Sequence, residues 1–202
     1  MKIDARWLIV IALCIVLFPG CALFSPVKTD TKLYVLNDIP LDLPTEQTHS
    51  ATLLVLVPET EPLYATTQMA YTTQAYQIAY FSQNEWAETP SQMIQPLILE
   101  TLQHTHYFSD VLLSPDFNHH TFVLHSEILE LKQDFTSDPA MLQLTMRFSL
   151  SREATNQVIA TKELSVSEPM RERNPYAGVV SANEAMAKLL RELARFVVDK
   201  AD

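Results

Sequence analysis

Glycine is nearly absent from this chain: Gly20 and Gly178 are the only two among 202 residues. Proteins ordinarily use glycine at roughly 7% of positions, because it alone accepts positive φ and close backbone approach without steric cost. The scarcity therefore removes whole classes of architecture. Phosphate-cradling loops, dinucleotide fingerprints and nucleophile elbows each need several glycines within a short stretch. None of these can be built here, so any nucleotide-driven step belongs to a partner.

Gly20 itself lies in a second constraining segment. The apolar run from Trp7 to Phe18 is twelve residues, whereas a membrane-spanning helix needs about 20. Lys2 and Arg6 outweigh Asp4 ahead of it, and Pro19 and Gly20 break any helix behind it. A positive start, a short apolar core and small extended residues read as an export signal. The segment resembles the lipobox of bacterial lipoproteins, with Phe18 in the place where leucine is usual. That resemblance implies cleavage between Gly20 and Cys21 and a lipid on Cys21. Ala22, in place of aspartate, implies sorting to the outer membrane. Cys14 leaves with the leader, so Cys21 is then the single cysteine. An acylated cysteine at the mature N-terminus suits an oxidising compartment, where free thiols are normally paired or missing.

Removing residues 1–20 leaves 182 residues, enough for one domain with a sizeable core. The net charge is −10 for the whole chain and −11 without the leader. Such acidity excludes nucleic acid, whose binding depends on neutralising phosphates, and direct adsorption to anionic lipid. The acidic residues are dispersed and read as a solvated face.

Periodicity supplies the fold class. Strands are expected over 31–36, 51–57 and 77–82, with a shorter one around Met69–Thr72. The stretch 51–57 is apolar on both sides, as in a central strand. Residues 121–132 read as a long strand whose alternation slips near Ile128 and Leu129, the mark of a bulge. Leu142, Leu144, Met146, Phe148 and Leu150 alternate strictly with polar residues, which requires one wet face. A hairpin partner follows at 158–166. A first helix starts at Thr89 and Pro90, with Gln92 completing a capping box and Pro96 predicting a kink or a separate first turn. The last helix is capped by Asn174 ahead of Pro175. Its apolar face runs from Tyr176 through Val179, Val180, Met186, Leu190, Leu193 and Val197. The expectation is an α+β domain of about six strands in a mainly antiparallel or mixed sheet, with two amphipathic helices on one face. The chain divides into a signal peptide (1–20), a lipidated N-terminus and tether (21–31) and one domain (32–202).

Side chains that carry chemistry are sparse. His49, His104, His106, His119, His120 and His125 lack the i, i+4 helical pairing or cysteine support of zinc sites, and read as scattered surface residues. Glu127 and Glu130 fall on opposite faces of a strand unless the bulge intervenes. Nothing selects an activated serine. No metal, cofactor or enzymatic activity is expected. Tyr76, Tyr80, Phe81 and Trp86 are candidates to line a groove for a partner or an acyl chain, against a plainer role as core between strand and helix.

The lipobox, "KLYVL" as first strand and "IAYFSQNEWAETPSQMIQPLILETLQHTHYFSDV" together resemble the auxiliary lipoproteins of ABC-type transport systems, the paraquat-inducible protein C-like group. Trp86, Ala87, Glu88, Leu97, Leu102, Phe108 and Val111 hold the places of that pattern, and the similarity covers roughly residues 31–200. It implies a non-enzymatic outer-membrane lipoprotein facing the periplasm, working with an MCE-domain protein, an ABC permease and its ATPase in moving lipids between membranes. Lipids and a second copy of the chain are further partners it allows. The alternative is an envelope lipoprotein that binds and regulates a cell-wall synthesis enzyme or another envelope complex.

Overall fold

Period-two patterning and 3.6-residue patterning sort the chain into strands and helices, and the computed structural model describes residues 30–44, 47–116 and 118–202. Nine strands and two α-helices occur among the described residues. The first half runs β1 (Lys32–Tyr34), β2 (His49–Val55), β3 (Glu59–Thr60), β4 (Gln68–Thr72), β5 (Ala79–Trp86), α1 (Pro90–Gln103) and β6 (Phe108–Leu113). The second half runs β7 (Phe122–Asp134), β8 (Met141–Arg152), β9 (Gln157–Pro169) and α2 (Pro175–Ala201). This is the expected mixed α+β class, with the strand count corrected from six to nine. The added strands escape periodicity for physical reasons: β3 is two residues long, and β6 buries Phe108 and Val111, three apart, out of step with a strand's period of two.

β7 is the spine of the sheet. One edge pairs antiparallel with β8 along its length, from Phe122 opposite Arg152 to Asp134 opposite Met141. The other edge carries three parallel partners in succession: β2 at Phe122–Leu124, β3 at Glu127–Ile128 and β4 at Lys132–Asp134. The sheet therefore forks. β6 continues from β2, β5 and then β1 continue from β4, and β9 continues from β8. At the fork, Ile128 faces Met146 and Glu130 faces Thr145, leaving Leu129 as the expected bulge. An extra residue bends a strand and adds twist, which lets one edge serve two diverging branches.

Alternation on β8 separates the two sides of the sheet. Leu142, Leu144, Met146, Phe148 and Leu150 are buried in one core with Leu124 and Ile128 of β7. Ile94, Ile98 and Leu102 of α1 and Met186, Leu190, Leu193 and Val197 of α2 close that core from the other layer. Each such side chain contributes about 1.5–3 kcal/mol on burial. The sum outweighs the local cost of Pro96, about 3 kcal/mol in a helix interior. α1 is accordingly one continuous helix with exposed Pro96 inside it, and the separate first turn is not formed. Gln92 Oε1 accepts the Thr89 backbone N–H at 3.3 Å and its hydroxyl at 2.7 Å, fixing the helix start.

The far end of the sheet holds the one described glycine. Gly178, in the first turns of α2, lies against the buried side chain of Gln133 on β7. Gln133 Nε2 donates to the Pro175 carbonyl at 3.1 Å. An added methyl at position 178 would overlap the Gln133 amide, so glycine here permits close approach of helix and strand.

Candidate functional site

Two turns of sequence after the expected tether, the chain is fastened to the domain at both its strand and its helix layer. β1 pairs in parallel with β5, Lys32 opposite Asn84 and Tyr34 opposite Trp86. Alternation turns Leu36 into the core and leaves Leu33 62% and Val35 48% exposed. The segment then crosses α2, where buried Asn183 holds it. Asn183 Oδ1 accepts the N–H groups of Asn37 at 2.9 Å and Asp38 at 3.2 Å. Its Nδ2 donates to the carbonyls of Val35 and Val179, each at 3.1 Å. All four hydrogen-bonding positions of the amide are thus used. Ile39 and Leu43 pack against the core beyond it, and Asp42 accepts from Arg191 Nε at 2.8 Å and Nη2 at 2.5 Å. The guanidinium holds the Asp42 carboxyl below the usual carboxylate range.

Between β1 and the first turn of α2 lies a groove of about 410 Å³, lined by Leu33, Tyr34, Val35, Tyr176, Val179 and Val180 among others. Tyr176 was expected on the buried face of the last helix, and this is corrected. It is 62% exposed, because the first turn overhangs β1, where the Tyr176 ring sits 6.2 Å from that of Tyr34. Sequence periodicity did not single out Leu33, Val35 or Asn183. The signal available was an apolar pair at i, i+2 on a short edge strand and a helix-borne asparagine amid apolar neighbours.

The four aromatic groove candidates occupy separate environments. Trp86 is buried in the main core, as the plainer role had it. Phe81 stacks on Tyr71 at 4.3 Å and meets Phe135 edge-on at 6.3 Å. The Tyr80 hydroxyl donates to the Leu63 carbonyl at 2.9 Å. Tyr76 stands fully exposed with φ of 66°, beside a cavity of about 580 Å³ that also includes Leu63, Tyr64 and Ile78. A shared groove is not formed, because β5 carries Trp86 at its far end from Tyr80 and Phe81, and Tyr76 lies in the turn before the strand. Tyr64 in this region is buried, and desolvation, reinforced by Glu130, Tyr80 and Glu61, pushes its phenol up to about 12.

One histidine departs from the expected surface placement. His120 is buried, with Nε2 3.2 Å from Asp116 Oδ1, and its backbone N–H donates to Glu153 Oε2 at 2.5 Å. No group of three or more potential metal ligands occurs among the described residues. The bulge at Leu129 does bring Glu127 and Glu130 to the same wet face, opposite Arg147 and Thr145. Each is already paired, Glu127 with Arg147 at 2.7 Å and Glu130 with Lys132 at 2.6 Å. Arg147 also meets Glu163 at 3.2 Å, so one guanidinium bridges two carboxylates across the wet face. No described helix is long and apolar enough to cross a membrane. Gly20 and Cys21 lie outside the described residues.

Residues 34–196 match the family described as ABC-type transport auxiliary lipoprotein component. No curated protein matches the chain. Among solved structures, protein XCC0632 of Xanthomonas campestris superimposes with a TM-score of 0.77 at 13% identity, over 84% of this chain and 96% of that one. The hypothetical protein CT253 of Chlamydia trachomatis gives a TM-score of 0.50 at 14% identity, over 75% of this chain and 98% of the other. At these identities the likeness is one of fold.

Proposed function

We propose a function from one premise: the chain belongs to the family of ABC-type transport auxiliary lipoprotein components. It acts as a non-enzymatic lipoprotein, anchored through Cys21 to the outer membrane with its domain in the periplasm. There it docks an MCE-domain protein whose permease and ATPase move lipids between the two membranes. The observation that carries this reading is the family match over 34–196 joined to the "FPGC" sequence after a short apolar run. Two features support it. The glycine scarcity leaves ATP hydrolysis to another subunit. The carboxylates Glu127, Glu130 and Glu163 of the wet face are each engaged by a cation, Arg147 or Lys132, as in a structural ion-pair network.

The anchor is tested by Cys21→Ala, which should abolish labelling by a palmitate analogue and leave unprocessed precursor. Equal labelling of variant and wild type would refute it. The partner is tested by crosslinking in intact cells followed by purification from native membranes. An MCE-domain protein should be recovered, and the purified lipoprotein alone should hydrolyse no ATP. Repeated recovery of a cell-wall synthase without any MCE protein would transfer the docking role to that enzyme.

A further inference from the structure

The apolar groups around the groove between β1 and α2 stay largely exposed, Tyr176 meeting only the Tyr34 ring at 6.2 Å, and their place along the chain says what meets them. Leu33 and Val35 stand on the outward side of β1, and Tyr176 faces them from the first turn of α2. Contiguous apolar exposure rimmed by polar groups marks an interaction surface on a soluble domain. The rim here is Asp38 and Glu184 on the groove, with Arg171 3.8 Å from Glu184 and Lys32 on β1, so the described residues give it two charges of each sign and no basic cluster.

Twelve residues separate Leu33 from Cys21 in sequence. Even fully extended, twelve residues reach no further than about 40 Å. If Cys21 carries the lipid, the patch is therefore held within one short tether length of the bilayer. A tether that short keeps an effective concentration in the millimolar range, so a contact too weak to bind a free domain still forms. Two aliphatic side chains flanked by tyrosines are also the chemistry of the headgroup–acyl boundary, where an aromatic ring sits with its hydroxyl in the wet layer. The missing basic cluster selects a neutral phospholipid surface over an anionic one.

We propose that Leu33, Val35 and Tyr176 form a membrane-contact patch that rests on the neutral phospholipid surface holding the anchor. The proposal rests on the anchoring reading above, and it adds an orientation. The β1 edge of the sheet faces the bilayer, and β9, the edge strand of the branch that leaves β7 through β8, faces away from it.

The test uses the full-length, processed lipoprotein in vesicles of phosphatidylcholine and phosphatidylethanolamine carrying an acyl-chain nitroxide quencher. An environment-sensitive fluorophore is attached in turn through Leu33→Cys, Val35→Cys, Tyr176→Cys and, on β9, Val158→Cys. Acylated Cys21 offers no competing thiol. Quenching should be several-fold greater at positions 33, 35 and 176 than at 158, and added salt should not change it. With the probe at 176, the double variant Leu33→Ser, Val35→Ser should lose quenching to the level seen at 158. Its melting temperature should be unchanged, since both side chains are already exposed. Protein that floats with the vesicles yet shows equal, low quenching at all four positions overturns the patch and leaves the anchor standing. Loss of flotation overturns the anchor and the patch with it. Crosslinking of position 33 to a second copy, without lipid quenching, assigns the patch to self-association and overturns the membrane contact.

Discussion

Gly178 shows what a single residue does in a chain that otherwise avoids glycine. Its missing side chain lets α2 lie directly on the Gln133 amide, and Gln133 in turn holds the Pro175 carbonyl at the helix start. Gly178→Ala should therefore lower stability by about 1–3 kcal/mol through overpacking, despite the better helix propensity of alanine. Urea unfolding measures this, and adding Gln133→Ala should recover part of the loss, since the two sites are in contact. Tyr64 makes a second residue-scale prediction. Its phenol is raised from 10 to about 12 by burial and neighbouring negative charge. The unfolded chain then releases the proton first as pH rises, so the neutral phenol's contribution is complete below pH 10 and is lost between 10 and 12. At 1.36 kcal/mol per unit the loss approaches roughly 3 kcal/mol. Tyr64→Phe should flatten the alkaline limb of the stability profile, and an unchanged limb would reassign it to other groups.

At the scale of elements, legibility followed periodicity. β8 alternates with one wet face, and β7 carries its bulge at Leu129, because half-buried long strands must write their register into the sequence. β3 was hidden because two residues establish no period, and β6 showed only through the family pattern at Phe108 and Val111, since its own residues do not alternate. Pro96 misled for the opposite reason: a local penalty was visible, but the tertiary burial of Ile94, Leu97 and Ile98 that offsets it was not. The fastening of residues 35–44 was equally hidden, since Asn183 lies some 146 positions from its partners. Asn183→Ala strips hydrogen-bond partners from the backbone of residues 35–38. Amide exchange there should accelerate markedly, with a global cost of about 1–3 kcal/mol. Protection of Asn37 and Asp38 equal to wild type would show that Asp42 with Arg191 holds the segment alone.

Among the described residues, stability resides in a main apolar core shared by both helices and the sheet, with a small second cluster of Ala140, Met170 and Ala177 beside it. A domain built this way should keep its melting temperature within about 2 °C in EDTA and in reductant, since loss of a structural metal or disulfide costs several kcal/mol. A large drop with chelator would assign a metal role to His120 and its neighbours. The Asn183 amide also orders events in time. A polypeptide made N-terminus first presents residues 35–38 long before position 183 exists. Contacts so distant in sequence form late, after the chain has closed a large loop. Until residue 183 is present, the backbone of residues 35–38 has no side-chain amide to dock on. Only when the trailing helix arrives does the amide close over the backbone of residues 35–38, so the last element of the fold is also the clasp of the first.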